Sequence, residues 1–228
     1  MTTLSITNTS QKTFFRPRDP ISALSHFAGF IGFLCLMPIL LVSAGLQGAD
    51  TVGLISAAVF SMSLVLLYGA STAYHSFDIA HRDVLKRLDH AMISVLIAGS
   101  YTPLCLTALR PFGGAKLLAL VWGLAIAGLV IKMFWIHCPK AFSSVIYISL
   151  GWCCILKFGA ILSTLSTGNF MLLLGGGLFY TVGGVIYALK FSALEKRFPG
   201  FGAHEVFHLF VLAGSLCHWI FTYRLFLL

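Results

Sequence analysis

The chain is a succession of apolar runs of roughly 20 residues with little polar sequence between them, and that pattern leaves few folds open. Seven runs can be drawn, at about 22–46, 52–76, 89–109, 115–136, 141–165, 170–191 and 203–226. As a helix, each is long enough to cross a hydrocarbon core of about 30 Å. Within a bilayer every backbone N–H and C=O must be satisfied by the protein itself, so such runs are helices or strands of a closed barrel. A barrel would show short segments of alternating polarity, and none occurs here. The expected fold is an all-α membrane protein, a seven-transmembrane helix bundle. A composition of 58% hydrophobic and 10% charged residues, with mean hydropathy +0.94, excludes an ordinary soluble domain.

The connections are short, and Gln47-Gly48-Ala49-Asp50, Arg110-Pro111-Phe112-Gly113-Gly114 and Ser166-Thr167-Gly168-Asn169 read as turns. Phe77 to Leu88 is the longest polar connection. The chain thus divides into a polar cytoplasmic leader, 1–20, and a seven-helix transmembrane domain, 21–228. The leader has no early apolar segment of the signal-peptide kind, so the first span is expected to serve as an uncleaved anchor. With the amino terminus inside, Lys12, Arg16, Arg18, Arg82, Lys86, Arg87, Lys132, Lys140, Lys190, Lys196 and Arg197 share the cytoplasmic side. Arg110, Lys116 and Arg224 lie opposite, and Lys157 falls inside the fifth span, where snorkelling or an interior hydrogen bond is expected. The positive-inside rule then gives a cytoplasmic N-terminus and an outside C-terminus. It also accounts for the net charge of +8 without a nucleic-acid partner.

Cys35, Cys105, Cys138, Cys153, Cys154 and Cys217 form no CxxC pair and read as small buried hydrophobes. Gly175, Gly176, Gly177, Gly183 and Gly184 crowd the sixth span, where they are expected to let helices approach closely.

The polar residues that remain converge on one membrane face. Ser71 and His75 are four apart at the end of the second span, and His204 and His208 are four apart at the start of the seventh, so each pair shares a helical face. Asp89 opens the third span. Three imidazoles leave a tetrahedral metal site with one open position. Such a metal lowers the pKa of its water toward about 7. Asp89 would then serve as acceptor or general base, and Ser71 would orient the water or donate to a developing oxyanion. Taken singly, each residue has a plainer reading: an interfacial histidine, a serine bonded to its i−4 carbonyl, an aspartate capping a helix. His218 lies ten residues beyond His208, about 15 Å along the helix, too far to share its metal. His26, His81, His90 and His137 read as solvated or as supporting groups. His204-Glu205-Val206-Phe207-His208 also fits HExxH, a short pattern in which the glutamate serves a peptidase as base, but no third-ligand motif follows.

Ser71-Thr72-Ala73-Tyr74-His75, Arg87-Leu88-Asp89-His90 and Leu96-Ile97-Ala98-Gly99-Ser100-Tyr101-Thr102-Pro103, with Gly151-Trp152 and the run from His204 to Ser215, together resemble the hemolysin III family. The likeness extends over about residues 20–226 and does not include the leader. That family stands with the progestin and adiponectin receptors and, more distantly, the alkaline ceramidases. The resemblance implies seven helices in the bacterial cytoplasmic membrane, with a cytoplasmic N-terminus and a zinc ion near that face. By motif, His75, His204 and His208 would be the zinc ligands, Asp89 would hold the water and Ser71 would be the nearby serine. Glu205 is not part of the family's essential pattern. Ser94 stands where many bacterial members are expected to carry tyrosine.

The expected function is zinc-dependent hydrolysis of a lipid amide or ester in membrane lipid homeostasis, with a ceramide-like or fatty-acyl lipid as partner. The alternatives are a non-enzymatic sensor of membrane state with a structural zinc, a cytolysin and an HExxH membrane peptidase. Structural zinc sites are usually closed by four protein ligands, and three ligands beside an acid favour the hydrolase.

Overall fold

The computed structural model of the chain describes residues 17–77, 82–189, 197–198 and 200–227. Much of the leader, His81, Lys190 and Lys196 therefore lie outside the described residues. Those described form helices α1 (Pro20–Leu46), α2 (Thr51–Ser76), α3 (Arg82–Leu106), α4 (Gly114–Phe134), α5 (Lys140–Gly151), α6 (Phe158–Thr164), α7 (Thr167–Leu189) and α8 (Ala203–Phe226). Short 3₁₀ segments occur at Arg110–Phe112 and Trp152–Lys157, and the described residues include no strand.

Six stretches are long and apolar enough to cross a membrane: α1, α2, α4, the composite Lys140–Thr164, α7 and α8. The chain is an integral membrane protein. α3 has the length but not the apolarity, because Arg82, Asp83, Lys86, Arg87 and Asp89 crowd its first turns. It starts at Arg82, ahead of the 89 expected from hydropathy, so part of the polar connection is helical. Nothing between Arg82 and Leu88 breaks a helix, and Asp83 in the first turn complements the helix dipole. Charge hid this start from a reading based on apolarity.

The fifth span also departs from expectation. Hydropathy predicts one apolar run over 141–165, yet the chain changes to 3₁₀ geometry from Trp152 to Lys157. The reason lies on α3. The Tyr101 hydroxyl donates to the Gly151 carbonyl (2.5 Å) and accepts from the Cys154 N–H (2.8 Å). Trp152 Nε1 donates to Thr181 Oγ1 of α7 at 3.0 Å. Side chains of neighbouring helices thus supply partners where the α-helical ladder is interrupted, as a membrane interior requires.

The turn expected at Ser166-Thr167-Gly168-Asn169 is shorter than drawn, since α7 begins at Thr167 and Ser166 Oγ accepts from the Asn169 N–H. Asp50 caps α2 by accepting from the Gly53 N–H (2.8 Å), and its other carboxylate oxygen accepts from Arg110 (2.6 Å), tying two connections at the same end. The Gly113 N-cap of α4 has φ +75°, which suits the glycine at that turn. Close by is Lys157 Nζ, 3.5 Å from where a Cβ on Gly113 would stand. Lys157 thus reaches the connection between α3 and α4.

Consecutive helices α1 to α4 pack side by side, as do α7 and α8, and α8 returns to α1 to close the ring. α5 leans chiefly on α7. The expected glycine contacts hold at three of the five positions. A Cβ at Gly176 would collide with the His218 ring, one at Gly183 would come within 2.8 Å of Phe210 Cβ, and one at Gly184 within 3.3 Å of Ile148 Cδ1. Gly175 and Gly177 face nothing within 4 Å. Tyr68 of α2 and Tyr180 of α7 both bond Ser215 Oγ of α8, at 2.8 and 2.9 Å.

Candidate metal centre

α1 begins beside the end of α2, and α8 begins beside both. The i, i+4 pair on α8 turns two imidazoles toward the one that ends α2. His75 Nε2 lies 3.2 Å from His204 Nε2, and one ligand nitrogen from each of His75, His204 and His208 falls within 4.8 Å of the others. Ring centroids are 5.0 Å apart for His75–His204 and His75–His208, and 4.4 Å for His204–His208. His75 and His208 are each 2% exposed, so neither is an interfacial histidine. This cluster can hold a metal ion.

Asp19 was not a candidate from the sequence, where it belonged to the leader. Its carboxylate lies 2.9 Å from His75 Nδ1, and its N–H donates to the His75 carbonyl at 3.1 Å. Accepting from Nδ1–H fixes the tautomer that leaves the Nε2 lone pair facing the other histidines. Arg18 also bonds this carboxylate and lies over the Tyr74 ring. Burial pushes the Asp19 carboxyl up, but hydrogen bonds from Arg18 and His75, with their charges, outweigh it and hold the group below the usual carboxylate range. The Asp19–His75 contact links residues 56 apart and exists only once α1 and α2 lie antiparallel, so no local signal could have revealed it.

His26 is the second residue the sequence undervalued. It is 3% exposed, and its ring stacks on His208 with centroids 3.7 Å apart and planes 14° from parallel. It is a supporting group rather than a solvated one. Neither of its nitrogens has a hydrogen-bond partner among the described residues, and the same holds for Nδ1 of His204 and of His208.

Ser71 and Asp89 lie beside the cluster, 1% and 8% exposed. Asp89 is close enough to interact electrostatically with His75, and the neighbouring Ser71 hydroxyl lies within reach of its carboxylate. Both line an elongated cavity of about 180 Å³ that begins at His26, His204 and His208 and runs between apolar side chains to His218. His218 Nε2 is bonded to the Leu173 carbonyl at 3.2 Å, at the cavity's far end and away from the cluster. Four of the five residues singled out from sequence therefore line one end of one cavity, and His75 adjoins them through His204.

Glu205 serves the fold. Its carboxylate accepts from the Gly202 N–H (2.8 Å) at the start of α8 and from Ser22 Oγ (2.9 Å) of α1. It is absent from the metal-competent cluster, so the HExxH pattern has a structural explanation here.

A further polar cluster was not legible in sequence. Lys132 is 2% exposed, and its ammonium donates to Cys138 Sγ (2.9 Å) and Ser143 Oγ (2.5 Å). Burial pushes the Cys138 thiol up, but hydrogen bonds from Lys132 and Ser143 and the lysine charge hold it below the usual thiol range. Cys138 is thus more than the small hydrophobe expected of it.

Residues 14–219 match the family model described as haemolysin-III related. The Bacillus subtilis (strain 168) protein named "Hemolysin-3 homolog" is 35% identical over 197 residues, 85% of this chain and 87% of that protein. The Bacillus cereus protein named "Hemolysin-3" is 36% identical over 209 residues, 90% of each chain.

Proposed function

From the premise that the chain belongs to the haemolysin-III related family, we propose that it is a zinc-dependent hydrolase of a lipid amide or ester, acting in the bacterial cytoplasmic membrane. The carrying observation is the convergence of three imidazoles, a buried carboxylate and a buried hydroxyl at one end of an apolar cavity. The donor set suits zinc. Zinc–nitrogen bonds of 2.0–2.1 Å at a tetrahedral angle separate two nitrogens by about 3.3 Å. The His75 and His204 nitrogens are 3.2 Å apart.

His75, His204 and His208 would hold the ion, with Asp19 orienting His75. When bound, zinc supplies a Lewis acid for a carbonyl and makes hydroxide available near neutral pH. Asp89 takes the proton of the attacking water and returns it to the leaving nitrogen or oxygen. Water thus adds at the carbonyl carbon as the C–N or C–O bond breaks, leaving a carboxylate and an amine or alcohol. Ser71, beside the Asp89 carboxylate, donates to the oxygen on which negative charge develops. The cavity shields an acyl chain from water beyond the reacting bond.

The same reading divides the chain into a short polar leader and a seven-span domain, with α3 as the third span, and sets the cluster near the cytoplasmic face. Charge supports that orientation. Arg18, Arg82, Lys86 and Lys140 border the cluster's end, whereas Arg110 bonds Asp50 and Arg224 lies against Gly168 at the start of α7 at the other. The relatives' names speak of haemolysis, but a buried, metal-competent cluster at the end of an apolar cavity suits chemistry on lipid better than pore formation.

The test is hydrolysis of lipid amides and esters by the purified chain, beside Asp89→Ala. The variant is expected to keep its zinc and lose hydrolysis by a factor of about 10² or more. Unchanged turnover in Asp89→Ala would overturn the mechanism.

A further inference from the structure

Beside the histidine cluster lies a second cavity, of about 540 Å³, formed where helices begin and end. Arg18 and Asp19 come from the start of α1, Arg82 and Lys86 from the first turns of α3, Lys140 from the start of α5, and His204 from the start of α8. Among the described residues lining it, four side chains carry permanent positive charge and Asp19 alone carries negative charge. Asp19 is engaged by Arg18 and His75, so Arg18 is committed to it in turn. The amino termini of four helices meet the carboxyl ends of α2, α4 and α7 here, so helix dipoles largely offset and the side-chain charges set the field. The vestibule and the apolar cavity share His90, Ser143, Tyr187 and His204 as lining residues, so they meet at the cluster. Topological signalling by positive charge requires only that cations lie on the cytoplasmic side. It does not require them to ring a concavity that opens on the proposed reaction centre.

We propose that this vestibule binds the anionic headgroup, phosphate or carboxylate, of an amphiphile whose acyl chain enters the apolar cavity. The assignment rests on the hydrolase reading and narrows its substrate class. The bond to be cut would bridge an acidic headgroup and an acyl chain, which disfavours a neutral sphingoid amide. Arg82 and Lys86 are its most specific determinants, with Lys140, seated over the Tyr187 ring at 4.4 Å, completing the wall. After cleavage the headgroup fragment keeps its anionic group and leaves through the vestibule, while the new carboxylate stays with the chain.

The experiment is binding of radiolabelled dodecyl phosphate to the purified full chain in a neutral detergent, with dodecylphosphocholine and inorganic phosphate as competitors. Dodecyl phosphate is expected to bind about tenfold or more tightly than the zwitterion, and Arg82→Ala/Lys86→Ala to remove that preference. Raising salt from about 0.05 to about 0.5 M should weaken it in the wild type. Lys86→Arg should retain the preference, which separates lost charge from lost folding. Equal binding of phosphate and phosphocholine amphiphiles, or a double variant that keeps both its zinc and its preference, would overturn the proposal. Inorganic phosphate competing as well as the amphiphile would overturn the lipid assignment in favour of a small-anion site. The two readings fail separately, because a chain without zinc contradicts the hydrolase, whereas indifference to headgroup charge in a zinc-loaded chain contradicts only the vestibule assignment.

Discussion

At the break within Lys140–Thr164, Tyr101 bonds both the Gly151 carbonyl and the Cys154 N–H, and Trp152 Nε1 donates to Thr181. At the histidine cluster, by contrast, both nitrogens of His26 and Nδ1 of His204 and of His208 are buried without well-formed hydrogen bonds to described residues. Both places put polar groups among apolar helices, where an unmatched group costs about 1–3 kcal/mol. The first is complete in itself and reads as architecture. The second leaves imidazole nitrogens open where three histidines meet, which suits a bound metal.

Three substitutions sharpen that contrast. The largest effect on the cluster short of removing a ligand is expected from Asp19→Ala, which frees the His75 ring and its tautomer. Zinc affinity should fall by about 10- to 100-fold with little change in thermal stability of the metal-free protein, measured by competition with a chelator. Tyr101→Phe should do the reverse. It leaves the Gly151 carbonyl and the Cys154 N–H without their partner and should destabilise the bundle by about 1–2 kcal/mol at unchanged zinc content, read by unfolding in detergent. Zinc loss in Tyr101→Phe, or none in Asp19→Ala, would erase the distinction between the two regions.

Asp50→Asn, at the end away from the cluster, should have the smallest effect, and its sign with pH is defined. Hydrogen bonds from the Gly53 N–H and from Arg110 hold the Asp50 carboxyl below the usual carboxylate range. A carboxyl depressed in the folded state contributes stability above its unfolded pKa, about 3.9, and loses it as pH falls through the lower folded value. The variant should therefore unfold slightly earlier than wild type at neutral pH and match it in strong acid. The measurement is a pair of thermal scans at the two pH values.

The sequence carried most of the bundle, because hydrophobic runs of bilayer length allow little besides helices. It also carried His75, His204 and His208, because i, i+4 spacing and position near helix ends are local properties. What it withheld was set by contacts between helices. The Asp19–His75 pair and the His26–His208 stack depend on where α1 lies against α2 and α8. The 3₁₀ stretch at Trp152–Lys157 has no proline to announce it, since its hydrogen-bond partner comes from Tyr101 on another helix. The early start of α3 was masked because charge was read as loop.

The most direct measurement is the metal content of the detergent-purified full chain beside His75→Ala, His204→Ala and His208→Ala, by elemental mass spectrometry. The account expects about one zinc per wild-type chain and little in any of the three variants, with each still folded as a monodisperse helical protein. A folded wild-type chain that takes up no zinc, or one whose zinc is indifferent to these histidines, would contradict it.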